Sequence, residues 1–223
     1  MKKKKQQFNV DMPTIFEDEY LLIVNKPGGI ATNGNRNKTV EQLVRPQRFK
    51  KMPKDKLPKP VAAHRIDVPT KGLVILAKSK RALAGMGKLF QNRQVSKTYF
   101  AIVHGKLQGT GRIDQPIDGK KSITDYEVEK TVQSRAFGHL TLVKLFPQTG
   151  RTHQLRIHLQ QKGHLIIGDK MYAGAQRTIL GKGLFLCAAA LEFTHPITNK
   201  LVNVHIELPS RFQRLLEREE SRF

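Results

Sequence analysis

From Thr14 onward, apolar and polar positions sort into short segments with two distinct periods. Ile15–Phe16 and Leu21–Asn25 are strand-like. Lys26-Pro27-Gly28-Gly29 stops the second of them, because proline and glycine favour turn dihedrals over a continuing ladder. Leu73–Ala77 is a β-rich run, after which Ser79 offers a hydroxyl to cap a helix whose Ala82, Leu83, Met86 and Phe90 share one face. In a strand over Thr98–Val103, period two puts Tyr99, Ala101 and Val103 on one face and Phe100 and Ile102 on the other, so Tyr99 is placed to look into a cleft. Ile123–Val128 and Leu140–Phe146 read as further strands. Thr152–Gln161, ended by Gly163, reads as a short helix with Leu155 and Leu159 as its buried stripe and Arg156 at the stripe's edge, pointing along the surface or into a crevice. Ala189–Phe193 and Leu201–Leu208 are strands, and Ser210 caps a terminal helix carrying Phe212, Leu215 and Leu216. Strands mixed with helices, with no regular βαβ alternation and no internal repeat, predict an α+β domain on a mixed, largely antiparallel sheet.

Composition adds a partner. The chain has 223 residues, 39% of them apolar, enough for one substantial core, and 40 Lys and Arg against 18 Asp and Glu give a net charge of +22. Such an excess costs self-repulsion in the compact state and favours a polyanion, nucleic acid first. Membrane is not expected, since no apolar run approaches the roughly 20 residues of a spanning helix. The opening MKKKKQQFNVDMP has no apolar stretch behind its lysines, so it reads as a solvated basic tail over residues 1–13 and not as a signal or anchor. Residues 14–223 then form one domain. Within it, Arg45 to Lys59 holds seven basic residues, Pro46, Pro53 and Pro58, and only Asp55 for acid, which predicts an exposed basic loop over 45–60. The single cysteine, Cys187, sits in LFLCAAA, packs as a small hydrophobe and suits a reducing cytoplasm.

Polar, ionisable residues interrupt the apolar pattern in three clusters, AAHRIDVPTKGL (62–73), VSKTYFAIVHG (95–105) and TGRTHQLRIHL (149–159). The first resembles the HRLD-x-x-TSGL motif of the RluA-type pseudouridine synthases, the second their K-x-Y-x-A-x-V-x-G strand, and the third their GRTHQ(I/L)R-(V/I)-H-(L/M) helix. EDEYLLIVNKPGGI, TDYEV, GHLIIGDKMY and AAALEFTHP match further family segments in order, so the resemblance spans about Phe16 to Pro209. It departs at Lys71, where the family has Ser, and at Leu165, where it has Pro. The family's separate S4-like N-terminal RNA-binding domain has no counterpart, which leaves a catalytic domain alone.

What the resemblance implies is an α+β pseudouridine-synthase fold, a mixed sheet bent around a central cleft, isomerising uridines in ribosomal or transfer RNA with no cofactor. Residue by residue, it puts the family's nucleophilic aspartate on Asp67. A carboxylate there can attack the sugar or the base, or take a ribose proton. It assigns the active-site tyrosine to Tyr99, against the uracil face and available to help remove the C5 proton. Arg156 becomes the basic residue that pairs with the aspartate and aims it. Arg65, Arg151 and His153 flank these positions and are expected to meet RNA phosphates or the gap left by a flipped nucleotide. The loop's Lys50 and Lys51 and the tail are candidates for further backbone contacts.

His153 and His158 fall on different faces of a helix or strand, so no metal site is expected, and Pro27-Gly28-Gly29 lacks a phosphate-cradle pattern. A monomer is the simpler expectation for a small domain so strongly charged. Two alternatives stay open. A non-catalytic RNA-binding protein explains the charge but not the coincidence of Asp67, Tyr99 and Arg156 with one family's motifs. A glycosidic hydrolase needs a second carboxylate, for which Asp169 is the candidate.

Overall fold

The computed structural model describes residues 12–35, 38–44, 53–173 and 181–223. The tail's residues 1–11 and loop residues 45–52, Lys50 and Lys51 among them, lie outside these. Ten strands form one mixed sheet: β1 (Thr14–Glu17), β2 (Leu21–Lys26), β3 (Lys56–Ala62), β4 (Lys71–Ser79), β5 (Ser96–His104), β6 (Thr110–Ile113), β7 (Thr124–Ser134), β8 (Gly138–Pro147), β9 (Leu186–Thr194) and β10 (Leu201–His205). Their order is β1-β2-β4-β9-β5-β8-β7-β6, with β10 on β9 and β3 on β4. Every pairing is antiparallel except β4 with β9. Helices α1 (Val40–Leu43), α2 (Lys80–Gln91), α3 (Gln154–Gln161) and α4 (Ser210–Glu220) complete the described elements.

The continuous apolar runs of β2 and β4 follow from burial on both faces. Leu21, Ile23, Leu73, Ile75 and Ala77 pack under α2 with its buried Ala82 and Met86. Leu22, Val24, Val74 and Leu76 face the other way, toward Val40, Ile66 and Ala188. As expected, Ser79 caps α2 by accepting from Ala82 N at 3.0 Å, a contact contributing about 1 kcal/mol. The helix carries a glycine in mid-course because a Cβ at Gly85 would lie 2.5 Å from Pro196 Cβ. A larger core holds the rest of the sheet together with Leu155, Leu159 and α4's Phe212, Leu215 and Leu216. Cys187 is fully buried within it.

Three expectations are corrected. The stretch read as an exposed loop to residue 60 becomes β3 from Lys56 onward; its prolines fall between Lys56↔Ser79 and Val61↔Ala77, where the register slips and no ladder hydrogen bond is required of them. Ser210 is the first residue of α4 rather than its cap, and its hydroxyl accepts from Arg214 Nη2 at 3.0 Å. The last strand ends at His205.

The site is positioned by a fork in the sheet. β9 pairs with β4 only at Lys71↔Cys187 and Gly72↔Ala188. Gly72 has φ +119°, and a Cβ there would stand 2.2 Å from Ala188 O, so only glycine admits this approach. Beyond Gly72 the same edge of β4 passes to β3, through Ala63 N donating to Ile75 O at 2.9 Å. The chain leaving β3 descends into the opening between β3 and β9, and it carries His64-Arg65-Ile66-Asp67.

Candidate active site

His64 closes the edge of β4 where β3 departs. Its Nε2 accepts the Ile75 amide proton at 3.1 Å, which puts the ring proton on Nδ1, and its ring lies 4.9 Å from that of Phe90. Burial, with a smaller effect from the Lys97 charge, pushes the imidazole down to about 3. Because this is below the unfolded value near 6.5, the unfolded chain binds the extra proton between roughly pH 6.5 and 3, and stability falls as pH drops through that window. At pH 5 the expected loss is about 2 kcal/mol relative to pH 7.5, read as a lower urea midpoint. A His64→Gln variant should show a flatter pH dependence; an equal slope in both proteins would overturn the assignment.

The turn bearing Asp67 is held on both sides. Thr32 Oγ1 donates to Ile66 O at 3.2 Å and accepts from Ile66 N at 3.3 Å. Val68 O accepts from Gly29 N at 2.7 Å, and Thr70 N donates to Asp67 O at 3.0 Å. Lys26, fully buried, donates from Nζ to Pro27 O, Ile30 O and Val68 O at 3.0, 2.8 and 3.2 Å. Burial pushes its ammonium down to about 8, and the charge of Asp67 opposes that shift. In the sequence this lysine marks only the start of a turn. Its signal was a charged residue ending an otherwise apolar strand, a position where Lys is seldom fully buried.

Opposite Asp67 stands α3. His153 caps it in the left-handed region, φ 55°, and no side chain caps the helix there. Arg156, read as lying at the stripe's edge, is buried at 4% exposure. Its Nη1 lies 3.5 Å from Asp67 Oδ2, so the expected pair is present. Its two parallel donors, however, go to Asp169: Nε to Oδ2 at 2.7 Å and Nη2 to Oδ1 at 2.8 Å. Asp169 Oδ1 also accepts from the amides of Met171 and Tyr172, at 3.1 and 3.3 Å, and its side chain has no exposure. Asp169 does not line the cleft, whose described lining residues hold no acid besides Asp67, so the second carboxylate that the hydrolase alternative needs is not placed there. His153 Nε2 lies 3.9 Å from Asp67 Oδ1, and Tyr172 joins His153 and Arg156 from outside.

Gln154 ties the third motif together. Its Oε1 accepts from Thr149 Oγ1 and Arg151 N at 2.7 and 3.0 Å, and its Nε2 donates to Ile123 O and Thr124 Oγ1 at 2.9 and 3.0 Å. His158 Nδ1 lies 2.9 Å from the same threonine oxygen, while Nε2 is 3.1 Å from Gln115 O; burial lowers this imidazole's affinity for a second proton. These residues hold the loop that presents Arg151 and His153.

Tyr99 faces the cleft as the period-two reading predicted. A slip in the β5–β9 register beside it, Thr98↔Ala190 then Tyr99↔Ala188, leaves Ala189 as an extra residue and aims the strand locally. Burial, and secondarily the negative charge of Asp67, pushes the phenol well above its ordinary value. The cleft is about 740 Å³ and is lined by Arg65, Arg93, Lys97 and Arg151, with Asp67 the one acid among its described lining residues. Arg65, Arg93 and Arg151 are exposed, and Arg151 Nε donates to Lys121 O at 3.1 Å. Nothing in the sequence pattern singles out Arg93, whereas Lys97 shares the period-two face of Tyr99 within the same motif and could have been found from it.

A basic cleft with one reachable carboxylate at the foot of a split, mixed sheet defines an enzyme that acts on a polyanion. The comparisons give the family. Residues 20–161 match the family model for RNA pseudouridylate synthase. The chain is 35% identical over 208 residues to the dual-specificity RNA pseudouridine synthase RluA of Vibrio parahaemolyticus, covering 86% of this chain and 81% of that one. It is 31% identical over 220 residues to the uncharacterized RNA pseudouridine synthase YhcT of Bacillus subtilis, covering 92% and 71%. The solved structure of human RNA pseudouridylate synthase domain containing 4 superposes with a TM-score of 0.72 at 25% identity, covering 92% of each chain. The chain belongs to the RNA pseudouridine synthase family, and it is an RNA isomerase. The sheet and helices described above are the α+β fold that the motifs implied.

Proposed function

We propose that Asp67 is the nucleophile of a synthase domain, residues 14–223, that isomerises uridines of ribosomal or transfer RNA in the cytoplasm as a monomer. The observation that carries this reading is Asp67's position: one acid in a basic cleft, fixed on both sides by backbone contacts and flanked by two buried cations, Lys26 and Arg156. The reaction breaks the N1–C1′ bond, turns the uracil and joins C5 to C1′; C5 loses a proton, N1 gains one, and no base leaves. Asp67 can serve by attacking the sugar or base, or by taking a ribose proton. Tyr99, a neutral phenol at ordinary pH, supports packing and hydrogen bonding against the uracil face better than it supports a phenolate base.

Arg65, Arg151 and His153 meet the RNA backbone or the space left by the flipped nucleotide, whose extrusion costs a few kcal/mol that phosphate contacts offset. The names of relatives favour this range of targets: they include a dual-specificity RNA synthase and ribosomal large subunit synthases C and D. Among the described residues no helix is long and apolar enough to cross a membrane. The test is carbodiimide mapping of pseudouridine in total RNA from cells lacking the gene, rescued with wild type or with Asp67→Ala. One or a few sites should vanish on deletion and return only with wild type. Return of every site with Asp67→Ala, or no change on deletion, overturns the proposal.

A further inference from the structure

His153 and Tyr172 form a hydrogen-bonded pair against the nucleophile. The His153 ring lies between two partners: Nδ1 is 2.9 Å from Tyr172 Oη, and Nε2 is 3.9 Å from Asp67 Oδ1. The two rings meet edge to face, with centroids 5.8 Å apart and planes at 81°. Tyr172 also spreads its ring under the Arg156 guanidinium, 4.9 Å from the centroid. The groups facing His153 are therefore Asp67 from the turn before β4, Tyr172 from the segment after α3, and Arg156 from α3 itself. Arg151, on the same loop, is directed away to Lys121 O. The left-handed backbone at His153 is strained for a non-glycine residue, and such strain persists where surrounding contacts over-determine it.

A neutral imidazole has one donor nitrogen and one acceptor, and a phenol can play either part, so the tautomer depends on both partners together: the Tyr172 hydrogen bond at 2.9 Å holds it, and the carboxylate at 3.9 Å favours the same arrangement. An ionised carboxylate only accepts. Facing Asp67, Nε2 must then carry the proton, Nδ1 must accept, and Tyr172 must donate. Burial holds the Tyr172 hydroxyl above its ordinary value, which keeps it a donor.

We propose that Tyr172 is a positioning residue for the nucleophile: its hydroxyl fixes the His153 tautomer with the proton on Nε2, facing Asp67, while its ring supports Arg156. The two carboxylate oxygens of Asp67 are then addressed separately, Oδ1 by the imidazole N–H and Oδ2 by the guanidinium. At 3.9 Å the imidazole contact is electrostatic, and a small rotation of either side chain completes it. The inference rests on Asp67 as nucleophile.

Tyr172→Phe tests it, because the ring stays over Arg156 and only the hydroxyl is lost. The assay is tritium release from unmodified transcripts of large-subunit ribosomal RNA and transfer RNA labelled at uridine C5. The expected result is kcat lowered roughly tenfold with KM for RNA unchanged, the effect of one lost hydrogen bond. Nitrogen-15 spectra of the histidine rings, with His153 assigned by its loss in His153→Gln, should show the proton on Nε2 in wild type and a population with the proton on Nδ1 in Tyr172→Phe. A wild-type ring protonated on Nδ1, or an unchanged tautomer in Tyr172→Phe whatever its rate, overturns the proposal. Failure of the underlying reading looks different: Asp67→Ala would still release tritium, independently of the His153 tautomer.

Discussion

Asp67→Ala should lose at least about 10⁴-fold in the rate of pseudouridine formation, the scale seen when a covalent catalyst is removed. It should leave the fold intact. Asp67 is partly exposed, and its turn is fixed by backbone groups and by Thr32 and Lys26 rather than by its own carboxylate. The expected change in stability is therefore within about 1 kcal/mol. RNA binding, measured by filter retention on the same transcripts used for activity, should be retained, because the phosphate contacts lie with the cations lining the cleft. Residual turnover within tenfold of wild type would remove Asp67 from the chemistry. Loss of RNA binding together with activity would make it a recognition residue instead.

The second large effect is structural. Asp169→Ala should lower stability by about 3–5 kcal/mol, because it leaves the Arg156 guanidinium buried without its bidentate partner. For a chain of this size that corresponds to roughly 6–20 °C in the midpoint of thermal unfolding. Activity should fall as well, since an Arg156 released from Asp169 no longer approaches Asp67 from a fixed direction. Asp169→Asn, which keeps the shape and one acceptor for the amides of Met171 and Tyr172, should fall between wild type and Asp169→Ala in both measurements. A midpoint within 2 °C of wild type for Asp169→Ala, roughly what 1 kcal/mol moves, would show that the pair contributes little.

Much of the architecture was legible where one physical signal dominated. The largely apolar runs Leu21–Asn25 and Leu73–Ala77 marked β2 and β4 as strands, and the period of Ala82, Leu83, Met86 and Phe90 marked α2. Alternation around Tyr99 gave the face it presents. β3 was not legible, because Pro58 and Pro60 argue against a strand unless the ladder is already interrupted, and only the pairing with β4 shows that it is. β6 has one apolar residue in four and is defined by its partner β7.

The site divides the same way. Asp67, Tyr99 and Arg156 could be named from motifs because each lies inside a short matched segment. The pairing of Arg156 with Asp169, of His153 with Tyr172, and of Lys26 with the carbonyl of Val68 joins separate segments, and side-chain pairing across a fold leaves no periodic trace in the chain. For Arg156 the direction of its fork was therefore the detail that motif spacing could not supply.

The site straddles the two-residue junction of β4 with β9. Asp67 hangs from the β2–β4 half of the sheet, whereas Tyr99, His153 and Arg156 belong to the half built on β5 and β8. The spacing between carboxylate and guanidinium therefore depends on how the two halves pack, through the ladder at Gly72 and through the shared core of β2 and β4 with Leu191, Phe193, Val202 and Val204. Anything that alters the packing between them alters the distance from Arg156 to Asp67 as well, so the geometry of the cleft is set far from the cleft.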